Sequence, residues 1–76
     1  MALYAEVEKL EESDQLVRYR FTDIKGVERT MTLNKVTEDM SVEDGVEDML
    51  YRAVARKVAI AWTREGSAPD RLLVQS

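Results

Sequence analysis

Apolar and polar residues alternate along three early stretches of the chain. From Leu3 to Leu10, Leu3, Ala5 and Val7 face one way and Tyr4, Glu6 and Glu8 the other, which is the period of a half-buried strand. Leu16 to Thr22 repeats the pattern, with Val17, Tyr19 and Phe21 inward and Leu16, Arg18 and Arg20 outward. Val27 to Val36 reads as a third strand, with Met31 and Leu33 inward and Glu28, Thr30 and Thr32 outward. Glu11, Glu12, Ser13 and Asp14 form an acidic turn between the first two. In Asp23-Ile24-Lys25-Gly26 the last three residues read as a hairpin loop with Gly26 in the left-handed position, where a side chain would be strained.

Parity ties the strands together. An odd loop keeps odd-numbered residues opposite odd-numbered ones, so Tyr19 meets Met31 and Val17 meets Leu33 on one buried face. The same parity over the first turn sets Glu6 and Glu8 across from Arg20 and Arg18 on the outer face, as cross-strand ion pairs.

Beyond Met40 the period lengthens, and Ser41 to Gly66 reads as one long helix. Ser41 with Asp44 resembles a capping box, acids crowd the first turns and bases the later ones, and Gly66 followed by Pro69 stops the run. On a helical wheel Val42, Val46, Met49, Leu50, Ala53, Val54, Ile60 and Ala61 gather on one arc, the expected core face. Lys57 points into that arc. A second row, Tyr51, Ala55, Val58 and Trp62, lies beside it. A rival pattern ends the helix near Arg56 and alternates Val58, Ile60 and Trp62 along a strand, although four alanines between 53 and 61 favour helix.

After a loop at Ser67–Asp70, Arg71 to Gln75 reads as a last strand with Leu72 and Val74 inward. The order is β-β-β-α-β: an α+β single domain over residues 1–76, with a mostly antiparallel four-stranded sheet and the helix packed on one face. A helix between two strands of one sheet implies that the last strand runs parallel to the third, and it pairs beside the first strand or the third, the first being preferred. About twenty-three helical residues span about 34 Å against about 23 Å for a seven-residue strand. It should overhang the sheet, so Tyr51, Ala55, Val58 and Trp62 read either as core, covered by the 67–76 tail or the outer edge of the sheet, or as an exposed seam for a second copy or another protein.

Composition narrows the chemistry. The chain has 76 residues, 45% of them hydrophobic, enough for one folded core of modest stability that oligomerisation would help. Neither histidine nor cysteine is present, which removes the commonest general base, thiol nucleophiles, disulfides, and zinc and iron–sulfur sites. The acids sit at turns and at the helix start, where solvation and the helix dipole account for them better than carboxylate-pair catalysis. Asp39–Gly45 fails as a calcium loop, because the glycine falls one position late and Leu50 occupies the place of the bidentate acid. No catalytic, cofactor or metal residue is assigned.

With 15 acids to 11 bases, a net charge of −4 speaks against nucleic acid and anionic membrane as partners. The alternative would use Arg52, Arg56 and Lys57 on the helix, or the outer sheet face where Arg18 and Arg20 lie beside Tyr4 as a stacking platform. Residues 1–10 lack the basic and apolar regions of a signal peptide and no stretch approaches a membrane span, so a cytoplasmic protein is expected.

At MLYRAVARKV, Trp62 and GSAP the chain resembles small uncharacterised proteins of actinobacteria that share a helix followed by a GxAP ending. The resemblance covers the last third best. It implies a small cytoplasmic protein of unknown activity and carries no functional residue across. The sequence thus leads to a non-enzymatic interaction module, a homodimer or the binder of another protein.

Overall fold

The computed structural model describes residues 3–75. Three strands, β1 (Tyr4–Glu12), β2 (Leu16–Asp23) and β3 (Glu28–Asn34), form an antiparallel meander. A short strand, β4 (Met40–Val42), pairs with β3, and after the helix α1 (Met49–Glu65) the strand β5 (Arg71–Gln75) pairs with β1. The result is a five-stranded antiparallel sheet in the order β4-β3-β2-β1-β5 with α1 across one face. The fold is α+β as expected, with one strand more than the alternation shows.

Strand faces follow the two-residue period. Tyr19 pairs with Met31 and Val17 with Leu33, and with Ala5, Val7, Phe21, Val42 and Val74 these residues are buried under the helix. The β2–β3 loop closes as the sequence implies: Gly26 has φ +84°, and the Asp23 carboxylate accepts from the amides of Lys25 and Val27. The outer face departs from expectation by one step. A bulge between Lys9 and Glu11 shifts the β1 register, so Glu8 faces Arg20, Glu11 faces Arg18, and Glu6 lies across from Thr22. The extra residue changes which acid meets which base and restores the buried face: beside the turn Glu12 lies opposite Val17, and beyond the bulge Lys9, Val7 and Ala5 pair odd with odd.

The larger correction concerns the helix. It starts at Met49, capped by Asp48, whose carboxylate accepts from the Tyr51 amide at 2.9 Å. Ser41 lies in β4 instead, and Gly45, with φ +73°, turns the chain between β4 and α1. The helix then runs unbroken to Glu65 and ends on Gly66 at φ +70°, so residues 57–63 are helical. At 17 residues it spans about 25 Å, close to the length of the strands beneath, and the expected overhang disappears.

The direction of the last strand also differs. β5 is beside β1, the expected neighbour, but antiparallel to it, and so antiparallel to β3. The strand that enters the helix is β4, and β4 and β5 run in the same direction at opposite edges of the sheet. A helix does connect two parallel strands; the first of them was too short to announce itself.

Candidate interaction surfaces

The four residues expected to form an exposed seam divide between core and flank. Tyr51 and Val58 are 5% and 0% exposed and belong to the core that α1 makes with the sheet; the Tyr51 ring lies 6.3 Å from that of Phe21. Ala55 and Trp62 are half-buried against the same core. The Trp62 indole N–H donates to Glu38 in the β3–β4 loop at 2.8 Å. The row is the face α1 turns toward its own sheet. Of the arc expected inside, Val54 is buried and Leu50 and Ala53 are half-buried, but Val46, Met49 and Ile60 are exposed. The helix is rotated relative to the wheel because Val42 and Val46, which helped to centre it, are not helical.

Arg29 ties the start of the helix to the sheet. Its side chain is 13% exposed and its guanidinium stacks 4.9 Å from the Phe21 ring centroid. It donates to Asp44 at 2.7 Å, to both carboxylate oxygens of Asp48 at 3.0 Å and to the Val46 carbonyl at 2.7 Å. One side chain of β3 thereby fixes the loop before α1 and the helix cap. Arg29 holds the Asp44 carboxyl below its ordinary range, and Asp48 is lowered first by the Tyr51 amide and then by Arg29.

At the other end of the core, Lys9 bridges Glu12 at 2.6 Å and Asp70 at 2.8 Å, while Lys35 reaches Glu12. Above them the Tyr19 hydroxyl donates to the Pro69 carbonyl at 2.8 Å, and burial pushes its pKa up to about 12.

On the outer sheet face, Arg20 pairs with Glu8, Arg71 lies 3.4 Å from the same carboxylate, and Arg18 bridges Glu11 and Glu43 at 2.9 Å each. The guanidinium groups of the possible stacking platform are therefore occupied by carboxylates. Among the described residues no three acids converge as a metal site requires, and no helix is long and apolar enough to cross a membrane.

Besides the edge of the three-residue strand β4, two features are open among the described residues. The first is the outer face of α1, where Met49 and Ile60 are 63% and 44% exposed and Arg52, Arg56, Lys57 and Arg64 point into solvent. The second is the outer edge of β5, where the sheet stops. Because the Lys9 amide donates to the Asp70 carbonyl, antiparallel alternation directs the backbone N–H and C=O of Leu72 and Val74 to β1. Those of Arg71, Leu73 and Gln75 point away from the sheet. The sequence signal for this edge was available in five residues without proline and with one charge. No known protein family, curated protein or solved structure matches this chain.

Proposed function

We propose that the chain is a small, non-enzymatic interaction module of the cytoplasm whose working form is a two-fold dimer joined at β5. The observation that carries this reading is the self-complementarity of the free edge. With Leu73 on the dyad, its N–H and C=O meet those of Leu73 in the second copy, and Arg71 meets Gln75 on either side. Three outward-facing residues per copy then satisfy six backbone groups per chain through an added antiparallel pairing.

Side chains agree with that register. Leu73, 47% exposed, meets its own copy on the outer face, and Leu72 meets Val74 on the helix face. No like charges stand opposite one another in the ladder. Edges of this kind are usually blunted by lysine, proline or a bulge, and β5 has none of these within Arg71–Gln75. Tyr51 and Val58 of the helix row are buried and Ala55 and Trp62 half-buried against the core, which favours the β5 edge over that row as the surface for a second copy.

A five-residue edge is smaller than the interface of a permanent dimer, so association should depend on concentration. Light scattering coupled to size exclusion tests it from about 1 µM to about 1 mM, the range of weak interfaces. The mass should climb from 8.7 kDa toward twice that value. Leu73→Lys sets two ammonium groups face to face at the dyad and should keep the chain monomeric without unfolding it. A wild type that stays at the monomer mass throughout would remove the dimer.

A further inference from the structure

We propose that the outer face of α1 is a docking surface for an acidic, amphipathic protein segment. The inference does not rest on the dimer; it rests on how the cations of this chain are used. Of eleven bases, Lys9, Arg18, Arg20, Arg29, Lys35 and Arg71 are each ion-paired. Lys25 sits in the turn of a hairpin. The remaining four, Arg52, Arg56, Lys57 and Arg64, all lie on α1, all are exposed, and none has an ion-pair partner among the described residues.

Their arrangement is as informative as their number. Turning each residue by about 100° sets the exposed Met49 and Ile60 along one line of the outer face, with half-buried Ala53 between them. Arg52 and Arg56 flank that line on one side, and Lys57 and Arg64 on the other. Shallow hollows lie beside Ile60: one of about 490 Å³ bounded by Lys57, Ala61, Arg64, Leu72 and the single acid Glu65, and one of about 300 Å³ bounded by Arg56, Ala59, Thr63 and Arg64. An apolar stripe between two cationic rows is the complement of a segment with apolar residues along its middle and Asp or Glu on both flanks.

Two other occupants fit worse. A second copy packed helix to helix would bring eight cations together against two Glu65 carboxylates. A nucleic acid would meet an apolar stripe where it needs polar donors, and its long polyanion would run past the helix onto the rest of the chain. That remainder holds fourteen acids to seven bases, because α1 contributes four bases and the single acid Glu65. A short segment touches only the stripe and its rows, and at physiological salt the acids elsewhere are screened over about 8 Å.

The test is an amide-shift titration of the isotopically labelled full chain. The probes are a synthetic helical peptide with a leucine stripe flanked by glutamates, a scrambled peptide of the same composition, polyglutamate, and a short mixed-sequence DNA duplex. The patterned peptide should shift amides along Met49–Arg64 and bind about tenfold more tightly than the scrambled one. The double variant Arg52→Glu/Arg56→Glu should weaken it by at least about tenfold, and a peptide with lysines in place of the glutamates on the one flank that faces residues 52 and 56 should recover the lost binding.

Retained amide dispersion in the variants excludes unfolding as the cause. Leu73→Lys, monomeric by design, should bind the peptide as the wild type does, so failure of the dimer and failure of this surface are read separately. Equal binding of patterned and scrambled peptides, absence of any shift on α1, or DNA binding more tightly than the peptide would each overturn the proposal.

Discussion

The indole N–H of Trp62 donates to a Glu38 carboxylate oxygen 2.8 Å away, while Glu38 itself holds a φ of +64°. A non-glycine residue in this region costs on the order of 1 kcal/mol. The β3–β4 loop is otherwise well bonded: the Asn34 side chain accepts from the amides of Val36 and Thr37, and the Glu38 amide donates to the Asn34 carbonyl. The strained residue is thus the one that reaches the last turns of α1. Glu38→Gly relieves the strain and deletes the bond, so the net change should be within about 0.5 kcal/mol of zero. In a Trp62→Phe background only the relief remains, and the same substitution should stabilise by about 1 kcal/mol. Urea denaturation of the four proteins checks the difference.

Arg29 should be the most sensitive polar position in the chain. Removing it leaves the Val46 carbonyl without its side-chain donor, leaves Asp44 and Asp48 with only the Val46 and Tyr51 amides, and strips the cation from the Phe21 face. Arg29→Gln should cost about 2–3 kcal/mol. Arg29→Lys should recover less than half of that, because an ammonium cannot reproduce the fork that serves two carboxylates and a carbonyl together. Thermal unfolding followed by circular dichroism measures both.

Acid should expose the same contacts. Asp44 and Asp48 are lowered from the ordinary 3.8, and Glu12 from the ordinary 4.5 by Lys35 first and Lys9 second. A carboxyl with a depressed folded pKa binds fewer protons folded than unfolded. Its stabilisation is full above the unfolded value and is lost as pH falls through the folded one. Stability should be flat from neutral pH to about 5, then decline below about 4.5. In Arg29→Gln the decline should be shallower, since Asp44 and part of Asp48 no longer contribute while Glu12 still does. Equal acid slopes for the two proteins would assign the sensitivity elsewhere.

Tyr19 gives the alkaline counterpart. Its phenol is raised by burial from 10.0 to about 12, so the folded state keeps the proton that the unfolded state releases first. The corresponding stability is present below about pH 10 and is lost as pH rises toward 12. Tyr19→Phe should remove this loss and cost about 1 kcal/mol at neutral pH, the worth of the hydrogen bond to Pro69. Phenolate absorbance during unfolding follows the titration directly.

The sheet was legible because a strand's period is two and two hairpins had to agree on one buried face. Val17 with Leu33 and Tyr19 with Met31 follow from that agreement alone. The bulge beside Lys9 was hidden, since an added residue in one strand has no signature when its side chain, Leu10, is apolar. The helix start was misread although its signal was present: Asp44-Gly45 is a turn dipeptide, and Asp48 is as good a cap as Ser41. With Val42 and Val46 counted as helical, the inferred apolar face swung away from Tyr51 and Val58. No periodicity marks β4, whose three residues are too few to alternate. The direction of β5 depends on β4 and was lost with it. The cationic rows on α1 could be read from sequence; that their partners are missing could not, because pairing depends on which face meets the sheet.

That rotation of α1 can itself be measured in solution. Val58 is 0% exposed under the sheet, whereas Met49 and Ile60 lie on the outer face. Val58→Ala removes two buried methyl groups and should cost about 2 kcal/mol, transfer and cavity together. Met49→Ala and Ile60→Ala remove exposed surface and should each change stability by less than about 1 kcal/mol. If the helix were turned as its sequence wheel suggests, the order would invert, with Met49 and Ile60 the costly positions and Val58 nearly silent. Three chevron or denaturant curves therefore decide which side of the helix faces its own sheet, and with it which side is free to meet another protein.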